Sequence, residues 1–193
     1  WALGGIGIWW PNRTLADHPL SQGEDTYAYE KEEVGGVALW GAITGDKASS
    51  TRAELAAAVL SAVSEGPVHQ GSDSMAFIKK ANKILQGQNL TKKRPWALQD
   101  DGDLWEWYEL AVHTKGTDSV AATWVKGHAK SKDIADGRAS EETKEGNDWS
   151  DTVADRGVEC FHEQGLTGLA AFFADKQKVL QNLLVRIHNM FIR

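Results

Sequence analysis

"VALWGAITGDKASSTRAELAAAVLSAVSEGPVHQGSDSMAFIKKANKIL", residues 37–85, is the stretch that decides the fold. Val37–Thr44 is dense in strand-forming residues and reads as a firm strand. Leu55, Ala56, Val59, Leu60 and Val63 recur at helical spacing and predict a helix over Thr51–Ser64. Val68–Ser72 reads as a short strand and Ser74–Leu85 as a second helix. Strand, helix, strand, helix in that order predicts a mixed α/β architecture.

Outward from this stretch the pattern continues. Ile6–Trp10 predicts a strand ended by Pro11. Residues 11–34 read as a polar excursion around a possible short strand at Thr26–Tyr29. Gly87–Asp101 is loop-like, Leu104–His113 helical and Val120–Lys126 a strand. Then Lys130–Asn147 holds hardly an apolar residue, and a loop of that length is usually functional or disordered. A helix is expected over Trp149–His162. Beyond Gly165 and Gly168, one apolar stripe from Leu169 to Ile187 predicts a long amphipathic helix. The expected organisation is a domain over residues 1–164 and a helical extension over 165–193.

The 193 residues are 41% hydrophobic and 25% charged, enough for a buried core. The single cysteine, Cys160, excludes an internal disulfide and fits an intracellular compartment. No apolar run reaches membrane-spanning length, so no membrane partner is expected. A net charge of −6 argues against nonspecific coating of nucleic acid. Yet Lys79, Lys80, Lys83, Lys92, Lys93 and Arg94 form a basic segment free of acids, able to hold a phosphate backbone.

Three acids stand at element boundaries: Glu54, Asp73 and Asp151. Each has a structural explanation. Thr51-x-x-Glu54 reads as a capping box, Asp73 as an N-cap, and Asp151 as an anion in the first turn of a helix. Together with His128 in Trp124-Val125-Lys126-Gly127-His128 they suggest more. Carboxylates drawn from separate helix starts repel one another unless a cation lies between them. All-oxygen donors suit Mg²⁺ or Mn²⁺, and a loop histidine beside such a site can shuttle protons.

The chain resembles type 1 ribonuclease H, the family that cleaves RNA–DNA hybrids. Seven pieces carry the resemblance in order: Gly4-Gly5-Ile6-Gly7, Thr51-Arg52-Ala53-Glu54-Leu55, Ser72-Asp73-Ser74, Lys92-Lys93-Arg94-Pro95-Trp96, Asp103-Leu104-Trp105, Trp124–Ala129, and Asn147-x-x-x-Asp151-x-x-Ala154. It implies a ribonuclease-H-like mixed sheet flanked by helices and hydrolysis of the RNA strand of a hybrid with two Mg²⁺ ions, Mn²⁺ being an alternative. Glu54, Asp73 and Asp151 would be metal-binding carboxylates and His128 the residue assisting turnover. Arg52, Lys92, Lys93, Arg94 and Trp96 would contact nucleic acid.

The resemblance also has departures. The family's first aspartate lies on a strand before the Gly-Gly turn, and this chain opens at Trp1. The resemblance thus implies an N-terminally truncated copy that hydrolyses hybrids poorly as written. Ser50, Thr51, Met75 and Asp101 replace common polar contacts, so hybrid affinity is expected to be weaker or differently distributed. The alternative is a noncatalytic nucleic-acid-binding module from a mobile-element polyprotein. Trp40, Trp105 and Trp124 are expected in the core. The C-terminal stripe would pack on the domain itself or dock a protein partner.

Overall fold

The β-rich runs on either side of the polar excursion at 11–34 find each other. The computed structural model describes residues 2–33, 35–45, 49–163 and 165–191. In it, strand β1 (Ala2–Trp10) pairs antiparallel with β3 (Gly36–Gly45), with Gly7 opposite Trp40. β2 (Tyr29–Glu33) takes the other side of β3. Glu30, Lys31 and Glu32 give this edge strand charges that discourage pairing with another chain. β4 (Val68–Ser72) and β5 (Val120–Trp124) form a separate parallel pair, as a crossover through a helix requires. Inward residues alternate along β4, so Val68, Gln70 and Ser72 are buried and His69 and Gly71 are not.

The helices bind these two sheets into one mixed α/β body. They are α1 (Gln22–Tyr27), α2 (Ser50–Ala62), α3 (Met75–Leu85), α4 (Gly102–Lys115), α5 (Ser131–Ala135), α6 (Glu141–Glu163) and α7 (Leu166–Phe191). Both α2 and α6 touch β1 and β4. α2 is the wedge. Its Leu55, Ala58 and Ala62 join the larger core with Phe77, Ile84, Trp105 and Tyr108, and its Leu60 joins Ile6, Val37 and Leu39 in a smaller one. Against β1, α6 sits as close as glycine permits. A Cβ on Gly5 would lie 1.8 Å from the carbonyl oxygen of Ala154, and one on Gly7 2.3 Å from that of Ser150.

Three expectations need correction. Thr26–Tyr29 is not a strand: α1 occupies Gln22–Tyr27 and the strand starts at Tyr29. Ser21 and Glu24 cap each other reciprocally, and the buried Glu24 carboxylate holds Arg13 at 2.5 and 3.0 Å. An ion pair joining two points of a polar segment leaves no hydrophobic signature. Lys130–Asn147 is likewise no long loop. It contains α5, and α6 starts at Glu141, where Ser140 Oγ accepts from the Thr143 amide at 3.0 Å. Lys144 pairs with Asp148 one turn on, so this first part of the helix is held by caps and charge rather than burial. Trp124, finally, is 45% exposed, whereas Trp105 is in the core and Trp40 half-buried.

α7 leaves the body. α7 touches α6 and β1, but every residue from Ala171 to Phe191 is exposed, so this part of the stripe does not pack on the domain's own surface. The expected boundary at 164–165 falls partly on Gln164, outside the described residues. Among the described residues no helix is long and apolar enough to cross a membrane.

Candidate functional site

The structural explanations for the three acids fail one by one. α2 is capped by Ser49, whose Oγ accepts from the Arg52 amide at 3.1 Å. Its third residue is therefore Arg52, and Glu54 is too far along for a capping box. The cap of α3 is Ser74, with Oγ accepting from the Phe77 amide at 3.3 Å, which leaves Asp73 outside the helix. Because α6 starts at Glu141, Asp151 lies well past its first turn, beyond the helpful end of the macrodipole. None of the three carboxylates caps the helix it belongs to or stands beside.

They lie instead close enough for Asp73 and Asp151 to bear on Glu54, and Asp73 on Asp151. Glu54 is largely buried, and its Oε2 accepts from Ser72 Oγ at 2.6 Å. Burial raises its carboxyl above the ordinary range; the Ser72 hydroxyl opposes this, while the charges of Asp73 and Asp151 add to it. Asp151 is 49% exposed. Its carboxyl is also raised, first by burial, then by Asp73, Asp148 and Asp155, against a lowering by His128. The exposed Asp73 side chain stands against the Gly127 backbone: a Cβ there would come within 2.1 Å of Oδ2. Trp124 Nε1 donates to the Asp73 carbonyl at 3.1 Å, which gives that exposed indole its purpose.

His128 follows immediately. Its backbone is left-handed, with φ 48°, and its ring is 84% exposed with Nδ1 3.6 Å from Asp151 Oδ2. Asn147 Nδ2 donates to that same oxygen at 3.2 Å. The imidazole thus sits between solvent and the Asp151 carboxylate.

Oxygen donors from separate elements suit a hard divalent cation, and their mutual repulsion is what such an ion would relieve. Among the described residues, however, no three His, Cys, Asp or Glu side chains close around a single metal-sized point. The set matches the ion in chemistry, while Asp73 and Asp151 have exposed carboxylates that stand open.

The basic residues divide into two kinds. Lys92, Lys93 and Arg94 are exposed on the loop between α3 and α4, which Gln99 braces from within by donating to the carbonyls of Leu90 and Arg94 at 3.2 and 2.7 Å. Trp96 is only 6% exposed, with Nε1 donating to Glu109. It stacks on Trp105, and the Lys80 ammonium lies 4.6 and 4.5 Å from the two rings. Arg52 is answered inside the protein, donating to Asp101 at 3.1 Å and to both oxygens of Asp103 at 2.9 and 2.6 Å.

Ser72, Trp124, Gly127 and Asn147 also belong to the site. For Ser72 the inward alternation of β4 was the available signal. Asn147 stands one helical turn before Asp151, a spacing the sequence does show, whereas Trp124 and Gly127 work through backbone contacts, which spacing does not report.

No family model matches the chain, and no curated protein matches it. Among solved structures it is similar to the solution structure of the PFV RNase H domain, at 19% identity and a TM-score of 0.47 over 81% of this chain and 94% of that one.

Proposed function

We propose that this domain binds RNA–DNA hybrids and hydrolyses their RNA strand in a reaction dependent on divalent metal. One observation carries the reading. Three carboxylates with no capping role, Glu54, Asp73 and Asp151, raise or feel one another's charge beside a histidine that faces solvent. Ionisable groups with shifted titration gathered at one place and without a capping role mark a site of chemistry. Glu54, Asp73 and Asp151 would hold Mg²⁺ or Mn²⁺, which supplies an activated water and charge stabilisation for the leaving oxygen. His128 Nδ1 carries a proton between this site and solvent. Lys92, Lys93 and Arg94 grip the phosphates by charge, which fits a substrate recognised by shape rather than sequence. Trp96 and Arg52 support that surface from beneath, Trp96 by bracing the basic loop and Arg52 by fixing the start of α4.

A second reading is a noncatalytic hybrid-binding module. What favours it is that the carboxylates do not close on one metal-sized point among the described residues.

The test is a labelled hybrid incubated with Mg²⁺ and with Mn²⁺, comparing the chain with Asp73→Asn and Asp151→Asn. Cleavage lost by on the order of a hundredfold or more in both variants supports the enzyme. Cleavage that survives both substitutions sinks it. Binding without cleavage by the unsubstituted chain selects the second reading.

A further inference from the structure

The stripe on α7 has a finer period than an amphipathic helix needs. Leu169, Phe173, Lys176, Leu180, Leu183, Ile187 and Met190 are spaced by alternating steps of four and three. That is a heptad seam of 3.5 residues, the period at which a helix keeps one face turned to another helix. The seam is open to solvent. The large apolar residues of α7 that are described, from Leu169 to Phe191, are between 40% and 85% exposed.

We propose that α7 pairs with α7 of a second copy of this chain as an antiparallel coiled coil. Three observations select this occupant. The first concerns a membrane surface, which favours a polar face rich in lysine and arginine. Opposite the seam, α7 presents Asp175, Lys178, Gln181, Asn182, Val185 and Asn189, with a single lysine or arginine among them. The second concerns an unlike helix. Coiled coils choose different partners through complementary charges beside the seam. Here the flanking positions are Ala170, Phe172, Gln177, Val179, Leu184, Arg186 and Phe191, with a single charge among them. An identical helix meets every requirement of such a surface.

The third is the area. The 26 residues of α7 make a rod of about 39 Å. Six apolar seam residues and four large apolar flanks, losing roughly 80 Å² each, cover on the order of 800 Å² per helix, one partner's share of a standard interface.

Lys176 sets the direction. In a parallel pair seam positions meet their own equivalents, so Lys176 would face Lys176 and two ammonium groups would share one layer. In an antiparallel pair the two kinds of seam position alternate across the interface. Lys176 then faces Leu180 or Ile187 of the second copy, its stem packs on the aliphatic partner, and its head reaches water. Already in one chain the ammonium lies 5.2 Å from the Phe172 ring, beside the seam.

The test is the mass of the full chain by light scattering over a wide concentration series. The unsubstituted chain should run at twice the monomer mass, and Leu180→Glu with Leu183→Glu at the monomer mass with the domain still folded. Val185→Glu, an exposed apolar residue off the seam, should remain a dimer. A monomeric unsubstituted chain, a dimeric double variant, or an equal loss in Val185→Glu overturns the proposal. So does a monomer that co-sediments with anionic phosphatidylserine vesicles through the same leucines. Mixing the chain with Lys176→Glu should give homodimers and heterodimers in statistical proportion, and preferential heterodimers would overturn the antiparallel arrangement.

Discussion

Gly7→Ala is the substitution that most directly couples the fold to the site. The new Cβ would lie 2.3 Å from the Ser150 carbonyl oxygen and 2.4 Å from the Ala154 nitrogen. Ordinary contact begins at 3.4 Å, so the first turn it meets must retreat by 3.4 − 2.3 = 1.1 Å. Both obstacles are backbone, and no side chain can swing aside. Overpacking of this kind costs about 1–3 kcal/mol. Replacing a strand glycine returns roughly 0.5–1 kcal/mol through lower chain entropy. The clash wins, for a net loss of about 1 kcal/mol, or roughly 2–4 °C in melting temperature for a chain of this size. Asp151 lies between the two obstructed residues, so the same retreat draws its carboxylate from His128 and Asp73. Misplacement by about 1 Å can lower a reaction rate on the order of a hundredfold. Urea unfolding followed by tryptophan fluorescence gives the first quantity and hybrid cleavage the second. Gly146→Ala is the control, on the same helix with nothing within 4 Å of the added Cβ. It should gain up to about 1 kcal/mol from helix propensity. If Gly7→Ala lies within about 0.5 kcal/mol of the unsubstituted chain, α6 is not seated on β1 as described and the reasoning fails.

Three further outcomes are expected. Glu54→Gln should stabilise the protein at neutral pH. A carboxyl with a raised folded-state pKa favours folding below its unfolded pKa, near 4.3, and loses that contribution as pH rises through the folded value, so the gain should vanish on acidification. Melting curves across pH check it, and a loss of stability at neutral pH would mean the charge is paired in the fold. Arg52→Ala should destabilise by about 1–2 kcal/mol by stripping the partner from Asp101 and Asp103. The Arg52 hydrogen bonds hold the Asp103 carboxyl below its usual range, so its contribution is present above the unfolded value and lost as pH falls through the folded one. The gap between variant and parent should accordingly close in acid. Replacing Lys92, Lys93 and Arg94 together with alanine should weaken hybrid binding and flatten its salt dependence by up to about three units of slope, measured by anisotropy. An unchanged slope would mark the loop as a solvated face.

The sequence by itself determined whatever depends on periodicity. α2, α3 and α4 announce themselves through apolar residues three and four apart. β3 and β5 do so through short runs dense in Val, Ile, Leu, Ala or Thr. In each case burial of one face creates both the structure and the pattern. The same logic made the α7 stripe legible, although not its exposure from Ala171 to Phe191. Glu54, Asp73, Asp151 and His128 stood out as residue types at boundaries, and only the tertiary structure removed their bland explanations. It did so by giving the caps to Ser49 and Ser74 and by starting α6 at Glu141. Capping is a choice among neighbouring hydroxyls, and Ser49, Ser50 and Thr51 are equivalent until the rest of the helix is docked. Arg52 shows the limit most clearly. Beside Glu54 it reads as a free cation, yet its partners lie 49 and 51 residues away. An ion pair closed across elements has no period, and packing alone brings its two halves together.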